Sequence, residues 1–329
     1  MQILKQLQSP NLLLRLAVVV ATAVLWFLPD ICGAPYPYEY RDFKFLDHFV
    51  WFSLPAFWAS FVQFWVILLI AIWLEVVCER RRILANRSAM PFTVMLPLVA
   101  CINHLQFFSA STVAFALFLY SVSQLLRTYG AKKECVAEAF NIGVAMALAA
   151  MFDRLYVLLI PLIIIGTIVF GTISVRTLIT FVVGQVLTAL LVVEIFLLSD
   201  MWSALQDALA VPLFADVTKI PMLAWSEWGL IGLLVLTTLV AVSSYVSAST
   251  IFNLNVRLNY VFDCIALVLT LVLALFTGWH GPRLLLPLLF ATLIVAFYFT
   301  NTHTKFSNAV FIIFAVGCTA CRVLSLFGI

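Results

Sequence analysis

An acidic and aromatic segment near the start of the chain carries the side chains best suited to chemistry. Between Asp30 and His48 the segment DICGAPYPYEYRDFKFLDH contains Glu39, Asp42 and Asp47. Positioned carboxyl groups act as general acids and bases, so these three are candidate catalytic residues. The alternative interpretation is an aromatic belt at a membrane surface, with its charges facing water. The sequence leaves both interpretations open.

Asp153 and Arg154 form a second charged feature, inside a long apolar stretch. They are the only charged residues between Ala139 and Thr172. At the centre of a bilayer each charge would cost roughly 2.5–3.5 kcal/mol. The pair is therefore predicted to mark a tight turn between two helices at the outer membrane surface.

Five side chains on the same predicted side are candidate substrate-binding residues, and two of them, Arg154 and Arg283, could bind a phosphate group. A guanidinium matches phosphate oxygens in a bidentate fork. The candidate substrate-binding residues are Asp153, Arg154, Arg283, His48 and His280. The spacing of the histidines resembles no metal motif, and no metal is predicted.

Two ionisable residues, Glu194 and Arg322, fall inside apolar runs. Such groups are expensive in lipid and usually face the bundle interior with a partner. Each lies near the predicted outer end of its run, so an ion pair between them is one arrangement the sequence allows. A role in helix packing and a role in a substrate or proton path both remain open.

The composition excludes a water-soluble protein. The chain has 329 residues, of which 65% are hydrophobic and 10% charged, and its mean hydropathy is +1.15. Soluble domains carry about 25% charged residues, and surface-to-volume scaling limits how much apolar surface they can bury. We predict one integral membrane domain over residues 1–329, with an amphipathic outer segment at about 200–226. No nucleotide-binding or hydrolase motif occurs, and no cofactor is predicted.

The apolar runs predict an all-α transmembrane helix bundle, because a helix needs roughly 20 apolar residues to span the hydrocarbon core and open strands cannot lie in lipid. About eleven spans are expected, within a range of ten to twelve. The runs cover residues 11–29, 49–74, 89–103, 107–126, 137–152, 155–172, 177–199, 228–247, 260–278, 284–300 and 308–327. The runs at 89–103 and 137–152 are short enough to leave open whether they cross fully.

Basic residues set the predicted orientation. With the N-terminus in the cytoplasm, twelve Lys and Arg residues fall on the cytoplasmic side and five on the outer side. This bias agrees with the positive-inside rule. The C-terminus is then predicted to lie outside.

The stretch ECVAEAFNIGVAMALAAMFDRLYVLLIPLIIIGTIVFGTISVRTLI resembles the central region of an uncharacterised family of multi-pass membrane proteins from Bacteroidota. The matching features are Phe140, Gly143, the Asp153–Arg154 turn and Arg176. The resemblance implies a protein of the inner membrane in a bacterium with two membranes. It implies no activity.

Three functions fit these observations. The first is a protein of cell-envelope biogenesis that handles an amphiphilic substrate, such as a polyprenyl-linked glycan, at the outer face; as an enzyme it would be a glycosyltransferase or glycan polymerase. The second is a secondary transporter or lipid flippase. The third is a non-catalytic scaffold that docks other membrane proteins through small-residue faces such as Gly143, Ala147 and Ala150. The expected partners are membrane lipid, a lipid-linked substrate and other membrane proteins, with no nucleic acid.

Overall fold

The structure is a computed structural model of the chain, and every regular element that it describes is helical. The described residues are 12–32, 55–84, 86–129, 135–200, 202–203, 205–206, 225–277, 281–302 and 304–326. No strand occurs within these ranges. The prediction of an all-α fold is confirmed.

Eleven α-helices of ten residues or more follow one another along the described chain, and each overlaps one of the eleven predicted apolar runs, with ends that differ by up to seven residues. Their bounds are α1 Leu12–Trp26, α2 Ala56–Arg81, α3 Met90–Ala100, α4 Ala110–Thr128, α5 Val136–Phe152, α6 Ile160–Val169, α7 Val175–Leu198, α8 Trp225–Ala248, α9 Leu254–Thr277, α10 Leu285–Asn301 and α11 Lys305–Leu326. A short helical turn, Leu28–Cys32, follows α1. Short 3₁₀ segments lie at Asn103–Leu105, Arg154–Leu159, Ser249–Ile251 and Gly281–Leu284.

Six of these helices are long and apolar enough to cross a membrane: α2, α4, α7, α8, α9 and α11. The other five are apolar but shorter. Long apolar helices whose outward faces carry exposed Leu, Ile and Val are typical of a protein surrounded by lipid. They indicate a membrane protein, as the composition predicted.

Two of the short helices, α3 and α10, form the centre of the bundle. Residues Leu285–Thr300 of α10 are all buried, and so is every residue of α3 except Pro97. Helix α10 packs against α3, α8 and α9, and α3 packs against α1 and α2. With its 11 residues, α3 is about 16 Å long at 1.5 Å per residue, roughly half the hydrocarbon thickness. A helix can be this short because protein, rather than lipid, surrounds it.

Helices α5 and α7 pack closely through two glycines. A Cβ atom on Gly143 would lie 2.2 Å from the carbonyl oxygen of Phe181, and one on Gly184 would lie 2.6 Å from that of Phe140. Small residues allow helix backbones to approach in this way. The face of Gly143 that the sequence offered for docking another chain is therefore occupied by α7 of the same chain.

Asp153 ends α5 and begins the 3₁₀ segment that leads into α6. Its backbone is extended (φ −148°, ψ 115°), and its side chain accepts a hydrogen bond from the backbone N–H of Leu155. Pro161 stands in the first turn of α6, where its missing N–H costs no helical hydrogen bond. A break between two helices at Asp153–Arg154 is confirmed, but a six-residue 3₁₀ segment rather than a tight turn follows it, and its position at the outer membrane surface stays a prediction.

The helix termini form two chemically different ends. At the first, which we call the basic end, Arg81 lies close to Arg127, and Asn255 Nδ2 of α9 donates to the carbonyl oxygen of Arg81 at 3.4 Å. Arg15 and Glu75 form an ion pair on the same side of the bundle. The second, which we call the Asp153 end, carries the polar groups described next.

Candidate functional site

Asp153 is the centre of a buried polar cluster at the Asp153 end. The residue is 0% exposed and accepts hydrogen bonds from Ser111 Oγ at 2.7 Å and Leu155 N at 3.1 Å. The Nε of Arg283 donates to its Oδ2 at 3.3 Å. One carboxylate thus joins the start of α4, the α5–α6 turn and the 3₁₀ segment before α10. With three of its roughly four acceptor sites occupied, it fixes the position of Arg283.

A second guanidinium group, that of Arg154, lies near the pair of Asp153 and Arg283. Arg154 lies within electrostatic range of both Asp153 and Arg283, and the two arginines repel each other. Beneath them Tyr156 is fully buried against Phe118, with ring centroids 5.8 Å apart. The structure thus brings together three of the five predicted substrate-binding residues from two distant parts of the chain. Like charges held together in this way favour an anion between them.

Arg322 has a structural role at the same end. It is 0% exposed, its Nε donates to the carbonyl oxygen of Leu25 at 3.0 Å, and its Nη2 donates to that of Trp26 at 3.4 Å. Its Nη1 donates to Asn103 Oδ1. The last carbonyls of a helix have no partner within the helix, and an arginine side chain can satisfy them. Arg322 therefore fastens the end of α1 to α11 and to the turn after α3.

The ion pair between Arg322 and Glu194 that the sequence allowed does not form. Glu194 is exposed on α7, whereas Arg322 binds α1 and Asn103. The sequence allowed the depth of each residue along its own helix to be estimated. It did not show which helices pack against each other.

Neutral polar groups extend the cluster around Arg322. Gln106 Nε2 donates to the carbonyl oxygen of Trp26 at 3.2 Å, and Gln63 Nε2 donates to that of Leu105 at 3.1 Å. The indole of Trp26 donates to Ser60 Oγ at 2.9 Å. Sequence reasoning missed Gln63 and Ser60, although a lone Gln in the apolar run WASFVQFWVILL was a usable signal, since a buried amide needs partners.

An apolar groove of about 260 Å³ begins beside this polar end. Side chains of α8 and α9 form its walls and α10 its floor, with Ile102 and Leu284 at the end near Arg283. Its only polar lining residues are Glu227 and Thr238. Val235 and Leu239 at its rim are 50% and 60% exposed, so the groove opens sideways between α8 and α9. In a membrane that opening faces lipid chains.

The other predicted site residues lie outside the described part of the chain. This applies to the candidate catalytic residues Glu39, Asp42 and Asp47 and to His48 and His280. Most of the amphipathic segment at about 200–226 lies there too. Among the residues that the structure does describe, no group of three or more His, Cys, Asp or Glu side chains could hold a metal ion.

A sequence model described as a family of unknown function (DUF6427) matches residues 45–322. No curated protein and no solved structure matches the chain.

Proposed function

The chain belongs to the family of unknown function DUF6427, and we propose that it binds an amphiphile with an anionic head group at the Asp153 end. The observation that carries the proposal is the pairing of Asp153 with Arg283 immediately before Leu284, which lies at the mouth of the apolar groove. A charged site and a hydrocarbon site are thus adjacent along one short segment.

The arginines supply the head-group site. Asp153 fixes the orientation of Arg283, whose side chain keeps 20% of its surface exposed, and Arg154 is half-buried beside it. An anion between the two guanidinium groups would relieve their repulsion and accept charge-assisted hydrogen bonds. A phosphate or diphosphate has the oxygen geometry that guanidinium groups match.

The groove supplies the chain site. Ligand pockets usually measure about 300–1,000 Å³, so a groove of about 260 Å³ suits one hydrocarbon chain better than a whole lipid. Its nearly apolar lining offers a long chain dispersion contacts and little hydrogen bonding. Because it opens sideways, a lipid can enter from the membrane without its chain crossing water.

We place this binding site at the outer face of the inner membrane in a bacterium with two membranes. The bias of Lys and Arg toward the basic end supports that orientation. A polyprenyl-linked phosphate or glycan of cell-envelope biogenesis has the required head and chain. If the protein is an enzyme of the glycosyltransferase or polymerase type, Glu39, Asp42 and Asp47 would be its catalytic residues.

Lipid binding to the purified protein in nanodiscs tests the proposal. A polyprenyl phosphate should bind at least about tenfold more tightly than the matching polyprenol, a difference of about 1.4 kcal/mol. Arg154→Gln and Arg283→Lys should each reduce that preference. Arg176→Gln, at an exposed arginine at the start of α7, is the matched control and should leave it unchanged.

The groove is tested separately with Ala291→Phe, which fills its floor without altering a charge. This variant should bind both polyprenyl phosphate and polyprenol more weakly than the wild-type protein does. Equal affinity of the wild-type protein for the two lipids, or equal effects of Arg176→Gln and Arg154→Gln, would refute the head-group site.

A further inference from the structure

A polar stripe runs along one buried face of α9, far from the Asp153 end. It begins at the basic end with Asn255, whose Nδ2 donates to the carbonyl oxygen of Arg81 at 3.4 Å. Asn259 Nδ2 donates in turn to Asn255 Oδ1 at 3.2 Å. Asp263 follows one turn further on. The three residues have i, i+4 spacing, which places them side by side on the helix surface.

One hydrogen-bond acceptor of the stripe, the Oδ1 atom of Asn259, lacks a donor in the described part of the chain. This residue is 3% exposed, and its Oδ1 has no hydrogen-bond partner among the described residues. Buried acceptors of this kind are normally satisfied. Its neighbour on the stripe, Asp263, is 6% exposed and forms neither a hydrogen bond nor an ion pair within the described chain. An ionised Asp263 would only add a second acceptor beside the first.

The surroundings of Asp263 provide no compensating charge. Helix α10 has no ionised side chain between Leu285 and Asn301, and α6 has none between Ile160 and Val169. The 3₁₀ segment that also touches α9 carries Arg154, at the far end of the bundle.

Two cations lie near this region: Arg257 of α9, within electrostatic range of Tyr245, and Arg81 of α2, whose carbonyl oxygen accepts from Asn255; within the described chain neither forms an ion pair with Asp263. The other titratable groups near it are neutral or paired. Tyr260 and Cys264 lie on α9 itself, and Tyr245 of α8 stacks on Tyr260 with ring centroids 3.8 Å apart. From α2, Cys78 lies within electrostatic range of Asp263 and of Glu75. The charge of Glu75 is matched by Arg15, with which it forms an ion pair.

We propose that Asp263 is a proton-binding site in the interior of the bundle, and that its bound proton is donated in a hydrogen bond to Asn259 Oδ1. A protonated carboxyl group carries an O–H donor, and Asn259 Oδ1 is the acceptor that it lacks. Protonation removes the uncompensated charge and fills the unpaired acceptor in one step. A bound proton inside the bundle is the property required for proton-coupled movement of a substrate, so this site favours the transporter among the alternative functions.

Labelling with dicyclohexylcarbodiimide tests the proposal on the full-length protein. The reagent adds to a protonated carboxyl group: the acid proton moves to one nitrogen, the carboxyl oxygen attacks the central carbon, and rearrangement leaves a stable N-acylurea with no leaving group. An aspartate that titrates at about 3.9 is protonated in roughly one copy in a thousand at pH ~7. Strong labelling of Asp263 at that pH, located by peptide mass spectrometry and lost as the pH rises, is the expected result.

Glu75 is the matched control, because it is a buried carboxyl group on a neighbouring helix that differs in having a cation partner. It should stay unlabelled under the same conditions. Asn259→Leu removes the proposed acceptor and should shift the labelling of Asp263 to lower pH. Suppression of labelling by sodium chloride, compared with choline chloride at equal ionic strength, would show a bound cation and overturn the proposal.

Infrared spectroscopy gives a second measurement that does not depend on reagent access. The C=O band of a protonated carboxyl group should be present at neutral pH in the wild-type protein and absent in Asp263→Asn. A wild-type spectrum without that band would overturn the proposal whatever the labelling result.

Discussion

Arg283 Nε lies 3.3 Å from Asp153 Oδ2, although 130 residues separate the two along the chain. This contact joins the α5–α6 turn to the segment that begins α10, the most enclosed helix of the bundle. It fixes an arginine at the mouth of the apolar groove. The two proposed functions of this end, binding a head group and admitting a chain, both depend on it.

Asp153→Ala should destabilise the protein strongly. Removing one partner of a buried pair costs about 3–5 kcal/mol, because the other charge is left without compensation. Ser111 and the backbone N–H of Leu155 would lose their acceptor as well. Thermal unfolding in detergent measures the loss. Glu79→Ala is the control: its pair with Arg87 is exposed, and surface pairs contribute about 0–1 kcal/mol. Equal losses in the two variants would contradict the structural role of Asp153.

Gly143→Ala should destabilise the packing of α5 against α7. The new Cβ would lie 2.2 Å from the carbonyl oxygen of Phe181, which is backbone and cannot move aside cheaply. Overpacking of this kind costs about 1–3 kcal/mol. Gly232→Ala in α8 meets no atom within 4 Å and should instead stabilise its helix by roughly 0.5–1 kcal/mol. Opposite shifts in the unfolding temperature of the two variants are expected, and shifts of the same sign would disprove the close approach.

Arg322→Lys should not preserve the function of Arg322. Its guanidinium contacts two backbone carbonyls and Asn103 at once, and a single ammonium cannot reproduce that planar fork. Each buried acceptor left without a donor costs about 1–3 kcal/mol. The unfolding temperature of Arg322→Lys should therefore be well below that of the wild type. Arg176→Lys, at an exposed arginine, is the control, and its unfolding temperature should stay close to that of the wild type. Wild-type stability of Arg322→Lys would mean that Arg322 contributes only its charge.

Cysteine labelling in intact cells tests the orientation. In a background whose native cysteines are replaced by serine, Arg87→Cys, at an exposed position near the basic end, should react with an impermeant maleimide only after the inner membrane is opened. Trp225→Cys begins α8 at the other end of the bundle, where Trp225 is 81% exposed, and should react without opening it. The reverse pattern would place the Asp153 end in the cytoplasm and remove the outer-face assignment.

The amino-acid sequence by itself determined the class of the molecule and the order of its helices. Length and apolarity of a run are local properties, so each of the eleven runs could be located without knowing its neighbours. The helix break at Asp153–Arg154 could also be predicted, because two adjacent charges in an apolar stretch have a high free energy at most depths in a bilayer.

Only the tertiary structure decided which polar groups meet. Arg322 binds the end of α1 rather than Glu194, Glu75 pairs with Arg15, and Arg283 reaches Asp153. All these partners are far apart in the chain, and almost every face of these helices is apolar, so periodicity could not tell which sides pack together. The sequence showed that the run at 89–103 is short, but it could not show why so short a helix is tolerated: that depends on its enclosure by other helices, a property of the assembled bundle and not of residues 89–103.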